Sequence, residues 1–479
     1  MKSFLSSLLP SFFDDSPEPQ IGKGLAKAYN DSRFGKNHKT FCYAPSTNML
    51  FAQNGNVYAC CHNKEIAIGR YPEQTISEIW NSQIAIDFRS RMEHYDLSAG
   101  CEICKSDLKP DAFQEVRARH FDTLQRNKNY PVMMEFLLTN ICNLECVMCM
   151  GEYSSLIRKN REKLPTLEYH YDQAFIFQLD EFIPYLKETR FSGSGEAFSI
   201  DVNYEIWEKI IKLNPKCVIM VQTNGTILTD RVKSVLSRGN FQIGVSLDSL
   251  KKNVYESIRL NANFDKVMSN IRYFSDYCKQ KKIKFNLSLC VMRQNWEEMP
   301  AYIEFCNELD CVATFHKVWH PRKYALDNLP VIELVKIYDY LSKFDFEGKT
   351  PTQKLNREHY HYFISVIKEW RDKSREVNPY DEEVSVLGYE GLIPYLSRKL
   401  YDYLIAQNHD EATTVELRTK YITKISAFVE MFDTLRDKER VLRAACLREP
   451  SLILYSLENF SIEENYKQFK SYKESEFVD

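Results

Sequence analysis

The sequence predicts an α/β protein: a parallel sheet covered by helices, a cysteine-rich module ahead of it and a helical region behind it. Three observations carry this. Between Val132 and Val318, short apolar runs alternate six times with longer helix-like segments, the pattern of parallel strands joined by crossover helices. Each apolar run ends in a polar cluster, and the C-terminal strand ends are where parallel α/β barrels build their active sites. The fourteen cysteines are uneven, with five between residues 42 and 104 and three between 142 and 149. Six β/α units close only part of a barrel, so the expected core is a partial (β/α)6 barrel with all six strand ends on one rim.

Composition bounds the rest. A chain of 479 residues has room for several domains. With 44% hydrophobic and 13% aromatic residues it can bury a sizeable core. The formal net charge of −3 supplies no basic field for nucleic acid. No apolar run reaches the length of a membrane span. Disulfides are not expected, and the reading is of a cytoplasmic protein.

Taken in order, the first fifteen residues, MKSFLSSLLPSFFDD, have one lysine, a proline-broken apolar stretch and no small-residue cleavage site. They read as a docking or partly disordered segment rather than a secretory signal. Residues 14–40 are polar, with Pro and Gly, and read as a linker. From Cys42 two short strands flank the turn Asn54-Gly55. Cys60 and Cys61 close the second strand, a helix starts near Ile76, and Cys101 and Cys104 end the segment. Neighbours on a strand face opposite ways, so Cys61 is expected to point away from Cys60 as a small core residue.

The barrel strands are expected at residues 132–138, 188–192, 217–222, 242–245, 285–292 and 312–318. Helices are expected at 169–187, 203–213, after Thr229, at 255–278 and at 296–308. Thr229 is placed to cap its helix, with Asp230 at the positive end. Asp248 is expected to cap the helix that follows it. Residues 326–479 show helical periodicity throughout. His359 and His361 there read as surface or packing residues. The expected domains are therefore 1–40, a terminal segment and linker; 41–127, the cysteine module; 128–325, the barrel; and 326–479, a helical domain.

Chemistry concentrates after the first barrel strand. Cys142, Cys146 and Cys149 have the spacing C-x3-C-x2-C within eight residues. Thiolates are soft ligands, suited to zinc or to an iron–sulfur cluster. A closed zinc site needs four ligands, and no fourth Cys or His follows nearby. Three cysteines on a four-iron cluster leave one iron open, as an open position on a catalytic metal is a place for chemistry.

This motif after a first barrel strand resembles the radical S-adenosylmethionine (radical SAM) superfamily. The resemblance implies a SAM-binding 4Fe-4S cluster held by Cys142, Cys146 and Cys149. It also implies reductive cleavage of SAM to a 5′-deoxyadenosyl radical that takes a hydrogen atom from the substrate. Ser194-Gly195-Glu196-Ala197 resembles the family's glycine-rich motif, usually Gly-Gly-Glu-Pro, and implies that Gly195 and Glu196 receive the methionine ammonium. Met148 stands where relatives often pack on the adenine, and Met sulfur suits a ring face. Asn224, Ser246 and Arg293, at the ends of the third, fourth and fifth strands, match positions that serve the ribose or carboxylate in relatives.

The segment from Cys42 to Cys104 is similar to the twitch, or half-SPASM, module of the same superfamily. Its matching features are Cys42, Gly55 and Cys60, the I-S-E-I-W helix with its following Arg, and the closing C-x2-C. This implies one auxiliary iron–sulfur cluster on Cys42, Cys60, Cys101 and Cys104, with zinc the alternative occupant. The module precedes the barrel here, whereas in most relatives it follows. The implied substrates are peptides, sugars or other small metabolites, and the implied reductant is a flavodoxin or ferredoxin. The remaining cysteines, Cys217, Cys278, Cys290, Cys306, Cys311 and Cys446, read as buried thiols. The alternative from another class is a non-enzymatic zinc-binding scaffold.

Overall fold

The computed structural model describes residues 21–471, apart from 36–37, 110–112, 114–115, 125–126, 128, 330, 374–383, 385, 408, 449 and 460. The expected N-terminal docking segment lies outside the described residues. The chain forms two compact units. One comprises residues up to Asn140 with Leu167–Gln222 and Leu228–Gln242; the other comprises Ile141–Thr166, Thr223–Ile227 and the chain from Ile243 onward.

In the first unit, β1 (Asn48–Ala52), β2 (Asn56–Tyr58) and β3 (Ala67–Arg70) form an antiparallel meander. Gly55 turns β1 into β2 with φ of +84°, and a Cβ there would stand 2.4 Å from the Tyr71 carbonyl oxygen. Only glycine meets both demands. β1 then pairs in parallel with β4 (Met133–Leu137), so the hairpin continues the same sheet. β5 (Glu188–Phe191) and β6 (Val218–Thr223) follow, each parallel to its predecessor. The unit's strand order is β3-β2-β1-β4-β5-β6.

Alternation along β4 places Phe136 on the helix-covered face, stacked with Phe51 and Phe191 and edge-on to Phe175. Glu135 points the other way, buried, and accepts from Asn48 Nδ2 at 2.7 Å. The helix Ile76–Trp80 opens with a capping box between Thr75 and Glu78. Arg89 stacks over Trp80 at 4.2 Å and donates to the carbonyls of Pro45 and Trp80, binding the module's turn to its helices.

The expected linker contains a helix, Lys23–Ser32. Its single apolar anchor, Tyr29, is fully buried and stacks on Phe41. Arg33 then forms an interior ion pair with Asp122, the two side chains 0% and 1% exposed. A single buried aromatic in a polar stretch leaves little periodicity to read, so composition there points to a linker.

In the second unit, β7 (Phe241–Ser246), β8 (Asn286–Val291) and β9 (Val312–Lys317) run parallel in sequence order. β7 is the strand on which the chain passes from the first unit into the second. Thr229 caps the helix Asp230–Arg238 as expected, accepting from the Val232 N–H. The helix expected over 255–278 is two helices, Lys252–Ile258 and Phe264–Lys281, the second capped by Asn263.

The region after 326 has two parts. Helices Val331–Leu341 and Pro351–Lys373 belong with β9: fully buried Asn356 accepts from the Ala313 N–H and donates to the Cys311 carbonyl. His359 hydrogen-bonds the Ala313 carbonyl at 2.6 Å. The edge strand is thus covered by a helix that satisfies its backbone. The later helices build a separate apolar core around Leu392, Leu396, Leu400, Ile425 and Leu442. Among the described residues no helix is long and apolar enough to cross a membrane.

Candidate functional site

Cys142, Cys146 and Cys149 sit on an irregular loop after β4, and its backbone is tied down on several sides. The N–H groups of Glu145 and Val147 donate to the carbonyls of Leu260 and Ile258, at 3.2 and 2.9 Å. Ser154 donates to the Leu144 carbonyl, and the Cys142 N–H donates to Ser155 Oγ. The Gly151 N–H donates to Glu162 Oε1 at 2.7 Å. A loop held by this many main-chain bonds fixes where its thiols point.

The three thiols lie within electrostatic reach of one another. Burial pushes Cys149 up to about 12, with Cys146 and Cys142 adding to the rise. Burial pushes Cys146 up to about 11, and the Arg259 guanidinium pulls the other way. A buried thiol resists ionisation until a cation or metal compensates. Cys290, expected as a plain interior thiol, is only partly buried, and Cys146 and Cys149 are among the groups that raise it after burial and Asp248.

Met148 packs beside the small apolar cluster of Val147, Ile258, Met292 and Val318. Asn224 is buried and donates to Asn143 Oδ1 at 2.8 Å, so within the second unit the segment Thr223–Ile227 is joined to the cysteine loop. Asn143 in turn donates to Thr226 Oγ1. Ser246 ends β7 opposite Ser288 of β8. Arg293 is engaged elsewhere: its Nε donates to the Ala325 carbonyl and its Nη2 to Asn328 Oδ1. Asp248 caps no helix; that helix begins after Lys251. Asp248 is wholly buried and paired with Arg259 at 2.7 Å. The buried Asp248 carboxylate is met by a buried guanidinium, and only the tertiary fold brings Arg259 to it.

In the first unit, Gly193 and Gly195 have φ of +89° and +64° after β5. Ser194 donates to Gln53 Oε1 and to the Thr139 carbonyl. Glu196 is 1% exposed and caps a 3-10 turn by accepting from the Phe198 N–H.

The module's four cysteines also form a group. Cys42 is pushed well up by burial, followed by Cys60, Cys104 and Cys101. Cys101 Sγ accepts from Asn63 Nδ2 at 3.4 Å, and Gly100 (φ +67°) leaves room for Asn63. After burial, the groups acting on Cys61 are Arg117, Glu135 and Arg190. Cys61 is therefore half-buried among charged groups rather than in an apolar core, as it was expected to be. No disulfide joins any of the fourteen cysteines. Among the described residues no three His, Cys, Asp or Glu side chains are placed to hold one metal ion. A polynuclear cluster asks instead for thiols spaced around a larger volume, and both cysteine sets suit that by donor softness and number.

Comparison with known proteins adds the family. Residues 136–306 match the radical SAM superfamily, and residues 42–105 match the SPASM iron–sulfur cluster-binding domain. The chain thus carries a radical SAM domain with a SPASM/twitch iron–sulfur domain ahead of it, the make-up of a radical SAM enzyme. The radical SAM domain implies a 4Fe-4S cluster and SAM, and the SPASM domain an auxiliary iron–sulfur cluster.

A GTP 3',8-cyclase of Limosilactobacillus fermentum is 25% identical over 259 residues, 50% of this chain and 71% of that protein. An AdoMet-dependent heme synthase of Methanosarcina barkeri is 25% identical over 268 residues, 55% of this chain and 71% of that protein. A GTP 3',8-cyclase of Clostridium botulinum is 27% identical over 134 residues, and the chain spans only 40% of its length. Among solved structures, Streptococcus suis SuiB bound to S-adenosylmethionine aligns at 15% identity and a TM-score of 0.33. That alignment covers 56% of this chain and 61% of that one.

Proposed function

We propose that this enzyme cleaves SAM at the Cys142–Cys149 loop and abstracts a hydrogen atom from a small-molecule or peptide substrate, with one auxiliary iron–sulfur cluster. The observation that carries the reading is the loop itself: three thiols grouped on a backbone pinned by Ile258 and Leu260. In this reading Cys142, Cys146 and Cys149 hold the SAM-binding cluster, and Cys42, Cys60, Cys101 and Cys104 hold the auxiliary one. When bound there, the cluster and SAM would supply one-electron chemistry for hydrogen-atom abstraction.

The chain's own residues bind and orient. The positive-φ turn around Gly193 and Gly195 leaves main-chain carbonyls to accept from the methionine ammonium. Glu196 shapes that turn through its cap. Met148 offers a polarizable face to the adenine. Asn224 and Ser246 serve the ribose or carboxylate, with Asn224 oriented by Asn143. Arg293, already bonded to Ala325 and Asn328, is assigned to holding the segment after β9. Residues 41–127 act as the auxiliary module, 128–325 as the barrel, and a flavodoxin or ferredoxin supplies the electron. By their names the sequence relatives cyclise GTP and synthesise heme, so small metabolites are the first substrate class to test.

The test is iron and sulfide content after anaerobic reconstitution, with dithionite-driven formation of 5′-deoxyadenosine. About eight irons are expected, four per cluster. Replacing Cys142, Cys146 and Cys149 with Ala removes about four irons and all 5′-deoxyadenosine. Replacing Cys42 and Cys101 removes about four irons but leaves SAM cleavage. A wild-type chain that binds no iron and cleaves no SAM overturns the proposal in favour of a metal-binding scaffold.

A further inference from the structure

The buried pair Asp248–Arg259 lies against the cysteine loop. Asp248 Oδ2 accepts from Arg259 Nε at 2.7 Å, and Oδ1 accepts from the Cys290 N–H at 2.8 Å. Asn295 Nδ2 donates to the Asp248 carbonyl at 2.7 Å. The Arg259 side chain is 8% exposed, and its Nη1 stands 3.9 Å from Cys146 Sγ. The backbone is fixed as well. Arg259 lies between Ile258 and Leu260, whose carbonyls accept from Val147 and Glu145 of the loop. One guanidinium thus touches a carboxylate with one edge and a cluster-loop sulfur with another. An interior ion pair is weak evidence for stability, since desolvation opposes it. Its place beside Cys146 calls for another role.

We propose that Arg259, anchored by Asp248, is a positioning residue that raises the reduction potential of the cluster held by Cys142, Cys146 and Cys149. The inference rests on the function proposed above. Reduction adds one electron to the cluster, so a fixed positive charge at the sulfur stabilises the reduced state more than the oxidised one. Burial leaves that interaction little screened by salt. Arginine keeps its charge at any working pH. Asp248 acts oppositely and stands behind the guanidinium, so the sign at the sulfur is set by Arg259.

The experiment is a redox titration of the reconstituted holoenzyme followed by electron paramagnetic resonance, reading the signal that changes when SAM is added. In Arg259→Gln the reduced-to-oxidised ratio at a fixed potential is expected to fall at least tenfold, a shift of about 59 mV for a one-electron couple. Arg259→Lys keeps the charge and should stay near wild type. Asp248→Asn removes the opposing charge and should shift the potential upward. Loss of packing alone would move Arg259→Gln and Asp248→Asn the same way. Shifts of the same sign, or no shift in Arg259→Gln with its iron intact, overturn the inference. If Arg259→Gln fails to take up iron, Asp248→Asn decides: an upward shift supports the inference, and a downward or absent one overturns it. A wild-type protein without a SAM-responsive cluster overturns the proposed function instead.

Discussion

Replacing Gly151 with alanine tests how the cysteine loop is held. Gly151 follows Cys149 by two residues, and its N–H reaches Glu162 Oε1 at 2.7 Å. A Cβ at this position would stand 2.0 Å from Glu162 Oε2, 2.7 Å from its Cδ and 2.8 Å from the Cα of Arg158. Glu162 is 1% exposed, so its carboxyl has nowhere to retreat, and the Arg158 Cα belongs to the helix Ser155–Asn160. The helix or the loop must therefore move. Overpacking of this kind costs about 1–3 kcal/mol, and the hydrogen bond to Glu162 adds about 1 kcal/mol when lost. The total of about 2–4 kcal/mol lowers the melting temperature by roughly 5–15 °C for a unit of this size.

Gly151→Ala should therefore melt earlier in a circular-dichroism scan and retain less iron after reconstitution and desalting. Adding Glu162→Ala in the same chain removes the closest clash and should recover part of the loss. A Gly151→Ala protein that melts within about 2 °C of wild type and keeps its iron would refute the reasoning.

Arg33→Met leaves Asp122 buried without its cation and should cost about 3–5 kcal/mol in urea unfolding; a loss under about 1 kcal/mol would contradict the buried pair. Cys60→Ser should remove about four irons whereas Cys61→Ser should remove none, and equal losses would place both thiols on one cluster. His320 is held at about 4 by burial, then by Arg448, Arg161 and Arg322. Its ordinary value is near 6.5. Between those values the unfolded chain binds a proton that the folded one refuses, so its contribution is full above pH 6.5 and lost as the pH falls toward 4. The drop in melting temperature from pH 7 to pH 5 should thus be smaller in His320→Gln, and an unchanged drop would remove His320 from the account.

The strands were legible because each is a short run dense in Val, Ile, Leu, Phe and Met, bounded by turn residues. β5 to β9 fall within about a residue or two of where the pattern puts them. Thr229 and Gly55 were legible for local reasons, a side-chain cap and a positive φ. The helix at Lys23–Ser32 was not, since its burial depends on Phe41 arriving from another part of the chain. Arg259 gave no signal either. It reads as the middle of one long helix, and the break there is set by backbone bonds to the cysteine loop more than a hundred residues earlier.

By itself the sequence determined the alternation of strands and helices, the two cysteine sets and the chemistry that soft ligands in those numbers can hold. These depend on spacing and residue type, which survive without knowledge of the fold. Only the tertiary structure decided what surrounds each candidate group. It turned Asp248 from a helix cap into the anchor of a buried cation, committed Arg293 to the loop after β9, and placed Cys61 among charges. It also divided the helices after residue 326 between the edge of β9 and a core of their own. Side-chain partners are long-range facts, and a charge takes its role from the groups that burial brings against it.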